Sequence, residues 1–114
     1  MSSKRHKQQA NKRHAHVFAA LGDQTRLSLV SKLSDGQPRS ITQLADDHKL
    51  SRQAITKHLH VLENAGIVQS SRSGRESIFQ FDVQPLDELQ NYLRSVSDQW
   101  DQTLARLKSF VEEQ

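Results

Sequence analysis

The sequence predicts a mainly α chain of five helices with one small β-hairpin and a long final helix. Three observations carry that expectation. Residues 40–66 read as two short helices joined by a tight turn. Two short apolar-alternating runs flank Ser73-Gly74, and apolar residues recur in steps of three and four from Leu86 to Val111 without a Gly or Pro.

At 114 residues a single domain with a modest core is expected, and a 34% hydrophobic content points to burial against a partner chain. No cysteine is present, so disulfides, thiolate metal sites and thiol switches are excluded. Nothing reads as a signal peptide or a membrane span, so a cytoplasmic protein with no membrane partner is expected. The formal charge of +3 conceals an asymmetry. Residues 1–16 carry five bases and no acid, residues 17–81 eight bases and six acids, and residues 82–114 three bases and seven acids. A basic head and an acidic tail suit a nucleic-acid face backed by a separate association element.

Residues 1–10, MSSKRHKQQA, lack apolar periodicity and read as a disordered basic tail. A first helix is expected from about Asn11, with Val17, Phe18 and Leu21 apolar and Gly22 as its stop. Asp23 should cap a second helix that buries Leu27, Leu29, Val30 and Leu33. Asp35-Gly36-Gln37-Pro38 is a turn, and Arg39, just before the next helix, is placed for a phosphate.

Ser40 and Gln43 have capping-box spacing, and Leu44 and Ala45 give the third helix a small buried face. Asp46-Asp47-His48-Lys49 brings that helix to its end, and Leu50 is expected to dip into the core. Ser51 should cap the fourth helix, with Ala54, Ile55, Leu59 and Leu62 inward and Gly66 as its left-handed stop. Arg52, Gln53, Thr56, Lys57 and His60 then point outward. A helix opening on basic and amide side chains can place that turn in a major groove. Gln53 pairs well with adenine, Lys57 reaches guanine, and Arg52 suits either base or phosphate. His58, beside Leu59, reads as a packed, hydrogen-bonded histidine.

Residues 67–72 and 75–82 form the two strands of a hairpin, with Ser73-Gly74 as its turn and Arg72 and Arg75 bracketing the tip. Those arginines suit the minor groove or flanking phosphates. Pro85 opens the last helix, and Leu89, Leu93, Val96, Trp100, Leu104 and Leu107 continue its stripe. At ~1.5 Å per residue that helix spans on the order of 43 Å, more than one face of so small a domain covers. The excess should pack on a second copy, together with Val17, Phe18 and Leu21 of the first helix. The domain plan is thus a tail over 1–10, a DNA-binding domain over 11–82 and a dimerisation helix over 83–114.

SRQAITKHLHVLENAGIV followed by SSRSGRESIFQFD resembles the winged helix-turn-helix of the ArsR family of bacterial repressors. FAALGDQTRLSLVSKLSDG is similar to the family's first two helices, so the likeness covers roughly residues 17–82. The resemblance implies a dimeric, operator-binding transcriptional repressor whose DNA affinity is set by an effector. The best-known family members place metal ligands at the start of the helix before the recognition helix, or on the long last helix. Here the first position reads Ser40-Ile41-Thr42, and no histidine follows His60. Asp98 and Asp101 share a helix face, but an all-oxygen pair suits transition metals poorly. No metal or cofactor is therefore expected. A small organic effector, a protein partner or control by abundance remain.

No catalytic centre is legible: the serines sit at caps and turns, and Gly-rich phosphate loops are missing. Two alternatives accompany the DNA reading. One is a metal-responsive sensor using His6, His14 and His16. The other is a winged-helix adaptor for protein partners, which would more often expose apolar residues where Arg52, Gln53, Thr56 and Lys57 stand.

Overall fold

A computed structural model describes the backbone of residues 2–113, with side chains from residue 5 onward. Helix α1 (Ser2–Leu21) is followed by α2 (Gln24–Leu33), strand β1 (Arg39–Ser40), α3 (Ile41–His48) and α4 (Arg52–Asn64). The hairpin strands β2 (Val68–Ser73) and β3 (Glu76–Phe81) come next, and α5 (Gln84–Glu112) ends the chain. The sheet is antiparallel in the order β1-β3-β2.

The helix starts follow from local chemistry. Asp23 accepts the Arg26 backbone N–H at 3.0 Å, and Ser51 Oγ accepts that of Ala54 at 3.1 Å. Ser40 and Gln43 form the reciprocal capping box, which satisfies two donors that a helix N-terminus leaves unpaired. At the far ends, Gly22 N–H donates to Ala19 O, and Gly66 turns the chain at a φ of 78°. The leucines then close one core. Leu29, Leu33, Leu44, Ile55, Leu59, Leu62, Ile67 and Val68 are fully buried, joined by Phe79 from β3 and Leu89 from α5.

Several expectations need correction. Helix α1 begins at Ser2 rather than near Asn11, so residues of the expected disordered tail are helical. The run 2–16 holds no Gly or Pro and is rich in Lys, Arg, Gln and Ala, which favour helix without any buried face. Met1 lies outside the described residues. Leu27 is 51% exposed, because the inward stripe of α2 follows Leu29, Val30 and Leu33 and turns Leu27 away. Leu50 is 39% exposed rather than core. Lys49, at a left-handed φ of 54°, reverses the chain and leaves Leu50 on the turn surface, its N–H on Ala45 O.

The hairpin turn is Gly74-Arg75, one residue later than expected, because Ser73 pairs with Glu76. Gly74 takes the positive φ, 63°, at the first central position, as a type II′ hairpin requires. The two-residue β1 was not anticipated as a strand. It pairs Arg39 with Phe79 and Ser40 with Ile78.

Helix α5 has 29 residues, of which Leu89 alone is buried. It lies against α1, where the Tyr92 ring meets the edge of His14 at 4.6 Å and faces Phe18 at 6.5 Å. Beyond Val96 it leaves the body, giving the molecule a long dimension of 69 Å against 34 and 21 Å. Among the described residues no helix is long and apolar enough to cross a membrane.

Candidate nucleic-acid interface

Helices α3 and α4 and the β2–β3 wing set the geometry. The buried residues Ile55, Leu59 and Leu62 hold one face of α4 against the body. The opposite face carries Gln53, Lys57 and His60, all exposed, with Arg52 exposed in the first turn and Thr56 half-buried at its edge. Thr56 Oγ1 donates to Arg52 O at 2.7 Å, so its hydroxyl proton is taken by its own helix. Ser51 Oγ accepts its cap bond and lies at the exposed N-terminus, where backbone N–H groups and the helix dipole favour an anion. Helix α4 has no acid in its first turn.

The wing stands clear of the body. After Val68 every residue of β2 is exposed, and Arg72, Ser73, Gly74 and Arg75 form the tip. Glu76 pairs across from Ser73 and is the acid nearest the tip in the chain.

Charge pairing separates the cations into two sets. Arg39, expected on phosphate, is engaged elsewhere: Nη1 donates to Lys32 O at 2.8 Å and to Asp35 Oδ1 at 2.9 Å, and Nη2 donates to Asp35 Oδ2 at 2.7 Å. It pins the α2–β1 turn. These bonds, with the Gln37 N–H, hold the Asp35 carboxyl well below the usual carboxylate range and raise Arg39 above its own. Lys32 pairs with Asp47 at 3.3 Å. Ser40 is buried, its hydroxyl occupied by the capping box. By contrast, Arg52, Lys57, Arg72 and Arg75 have no ion-pair partner among the described residues. An unpaired cation set around the outward face of α4 and the wing can neutralise phosphates without first breaking an internal bond.

The residues expected at a subunit contact also divide. Val17 and Leu89 are buried in the core and Leu21 packs against it. Val96 is half-buried, and Phe18, Leu93, Trp100, Leu104 and Leu107 are exposed. Among the described residues no group of three or more His, Cys, Asp or Glu side chains converges on one point. Sequence reasoning did not single out Arg26, which reaches both α1 and α4. Its spacing ahead of Leu29 and Leu33 was the available signal.

The sequence pattern of bacterial regulatory proteins of the ArsR family matches residues 23–70, which span α2 through the start of the wing. YuzN of Bacillus subtilis, an uncharacterised HTH-type transcriptional regulator, is 39% identical over 79 residues, covering 64% of this chain and 86% of YuzN. The chain belongs to the ArsR family. An ArsR-like transcriptional regulator from Rhodococcus sp. RHA1 superimposes with a TM-score of 0.78 at 36% identity, over 88% of this chain and 93% of that one. A possible ArsR-family regulator of Mycobacterium bovis, whose homodimeric winged helix-turn-helix domain was solved in solution, has the same fold. Its TM-score is 0.66 at 22% identity, over 81% of this chain and 84% of that one. This ArsR-family chain is therefore a transcriptional regulator with a winged helix-turn-helix DNA-binding domain, and not an enzyme.

Proposed function

We propose that this ArsR-family protein is a homodimeric repressor that occludes a near-palindromic operator. Each protomer lays the start of α4 in a major groove, with Gln53 and Lys57 toward base edges and Arg52 and Ser51 toward phosphate. The wing adds Arg72 and Arg75 along the flanking backbone. One observation carries the reading: Arg52 and Lys57 on the outward side of α4 and Arg72 and Arg75 at the wing tip are all exposed, and none has an ion-pair partner among the described residues.

Two-fold association rests on α5. Its stripe Leu93, Trp100, Leu104 and Leu107 is more than half exposed, and Phe18 of α1 lies exposed beside Tyr92. Two such stripes packed together would set the two α4 helices roughly 34 Å apart, one turn of B-DNA. The M. bovis relative is homodimeric, which supports the same arrangement here. With no cysteine and no histidine after His60, the two places where the best-known family members hold metal carry neither thiolate nor imidazole ligands here. A small organic effector or a protein partner fits better.

The test is a footprint on DNA upstream of the protein's own gene, followed by substitution. Lys57→Ala and Gln53→Ala should each weaken operator binding by about 1–3 kcal/mol per half-site and leave nonspecific binding nearly unchanged. Arg75→Ala should weaken both and reduce the salt slope by about 1 per half-site. Wild-type operator affinity in the Gln53 and Lys57 variants across salt would remove α4 as the reading face.

A further inference from the structure

The helical phase of α2 turns Arg26 toward the body, three and seven residues ahead of the buried Leu29 and Leu33. Its guanidinium spans two other helices. Nε donates to Ala20 O at 2.6 Å and Nη2 to Ala19 O at 3.4 Å. Both are last-turn carbonyls of α1; Ala19 O also accepts the Gly22 N–H, and the Arg26 bond to Ala20 O is the shorter of the two. Nη1 lies 3.3 Å from Nδ1 of His58, on α4.

A guanidinium only donates, so His58 Nδ1 is the acceptor and the ring proton belongs on Nε2. Asp23 completes the cluster. Its carboxylate caps the Arg26 backbone N–H at 3.0 Å and stands 3.7 Å from the same His58 nitrogen. His58 is half-buried between Lys57 and Leu59, so the tie grips the inner flank of the helix whose outer flank carries Gln53 and Lys57.

We propose that Arg26 is a positioning residue for DNA reading: through His58 it fixes the pose of α4 against the end of α1, so that the α1–α5 layer and the reading helix turn as one unit. The proposal rests on α4 being the helix that reads DNA. The planar fork matters, because three donors aimed in set directions hold two helices at one angle. A lysine ammonium is a point donor on a flexible stem and does not fix that angle. A tilt of α4 is felt at both half-sites of a two-fold operator, and therefore counts twice in sequence-specific affinity. Nonspecific affinity comes from phosphates and tolerates the tilt.

The test uses the full chain, a duplex that the wild-type protein selects from a random pool, and a fixed random-sequence duplex. His58→Asn keeps an acceptor near the Nδ1 position, whereas His58→Leu fills similar space without one. His58→Asn should bind the selected duplex within about twofold of wild type, and His58→Leu and Arg26→Lys should lose roughly 10- to 100-fold. Binding to the random duplex should change by less than about threefold. Hydrogen exchange of the α4 amides, measured without DNA, should quicken in His58→Leu and Arg26→Lys and stay unchanged in His58→Asn. Should His58→Leu fail to fold, the contrast of Arg26→Lys with His58→Asn makes the same decision. Wild-type binding and exchange in Arg26→Lys, or an Asn variant as impaired as the Leu variant, overturns the proposal. A wild-type chain that selects no sequence would count against DNA reading alone, and the exchange contrast then decides whether Arg26 fixes α4.

Discussion

Helices α4 and α5 carry the same kind of apolar stripe, yet the chain treats them in opposite ways. Ile55, Leu59 and Leu62 of α4 are fully buried by α1, α2, α3 and β2 of the same chain. On α5 only Leu89 is buried, and Trp100 is 63% exposed. Equal amphipathicity therefore does not mean an equal source of order. The position of α4 is set inside the protomer, while the outer two-thirds of α5 present an apolar surface of the size that monomeric proteins seldom leave bare.

The largest effect expected from this contrast is on assembly. Truncation before Leu93 should abolish both the dimer and tight operator binding while leaving the α2–α4 body folded. Sedimentation reports it in the truncated chain; in the full chain the emission of Trp100, the only tryptophan, blue-shifted in the dimer and red-shifted in separated subunits, follows dissociation on dilution. A truncated chain that sediments as a dimer would break the contrast between the two helices. Next in size, Leu59→Ala should cost about 2–5 kcal/mol of stability at any protein concentration. Leu104→Ala should instead destabilise only as subunits associate, so its melting temperature should differ from wild type most at high concentration. Equal, concentration-independent losses in the two variants would show that α5 is held by its own protomer.

The smallest effect tests how firmly the chain closes its own body. Asp35 has a depressed pKa in the folded state, chiefly from the Arg39 side chain and then from the Gln37 N–H. Its contribution is complete above the unfolded carboxyl pKa of about 3.9 and is lost as pH falls through the lower folded value. Arg39→Gln should therefore weaken the protein slightly at neutral pH and flatten its loss of stability below about pH 4, the gap to wild type narrowing toward pH 2. Because the pair is exposed, the change should be small. Urea titrations from pH 2 to 7 check the sign.

Much of this was legible because it depends on neighbours in sequence. Asp23, Ser40 with Gln43, and Ser51 announce helix starts by chemistry acting over three residues, and all three cap as expected. Leu44, Ile55, Leu59 and Leu62 follow from periodicity. What escaped depends on long-range placement. Strand β1 is two residues long and exists only because Phe79 and Ile78 run beside it. Arg39 is a local exception: it had the right charge for phosphate, but the turn over 35–38 folds Asp35, four residues earlier, and the Lys32 carbonyl back onto it. Arg26 drew no reading, since a pattern of apolar letters does not register a cation on the inward phase. Helix α1 began early because periodicity reports burial, and a solvated helix has none to report.

The sheet order β1-β3-β2 leaves β2 as an open edge, with backbone donors and acceptors along one side unpaired by another strand. Open edges are templates for unwanted growth, and chains that concentrate in a cell are exposed to that hazard. Here the edge reads Val-Gln-Ser-Ser-Arg-Ser, apolar only at its buried first residue. Serines have little β-propensity to offer an incoming strand, and Arg72 repels its own counterpart on a second edge. The turn at Gly74 also ends the strand after six residues, well short of the flat, apolar ribbon from which fibrils extend. The same short polar wing thus keeps the folded protein from polymerising through its sheet.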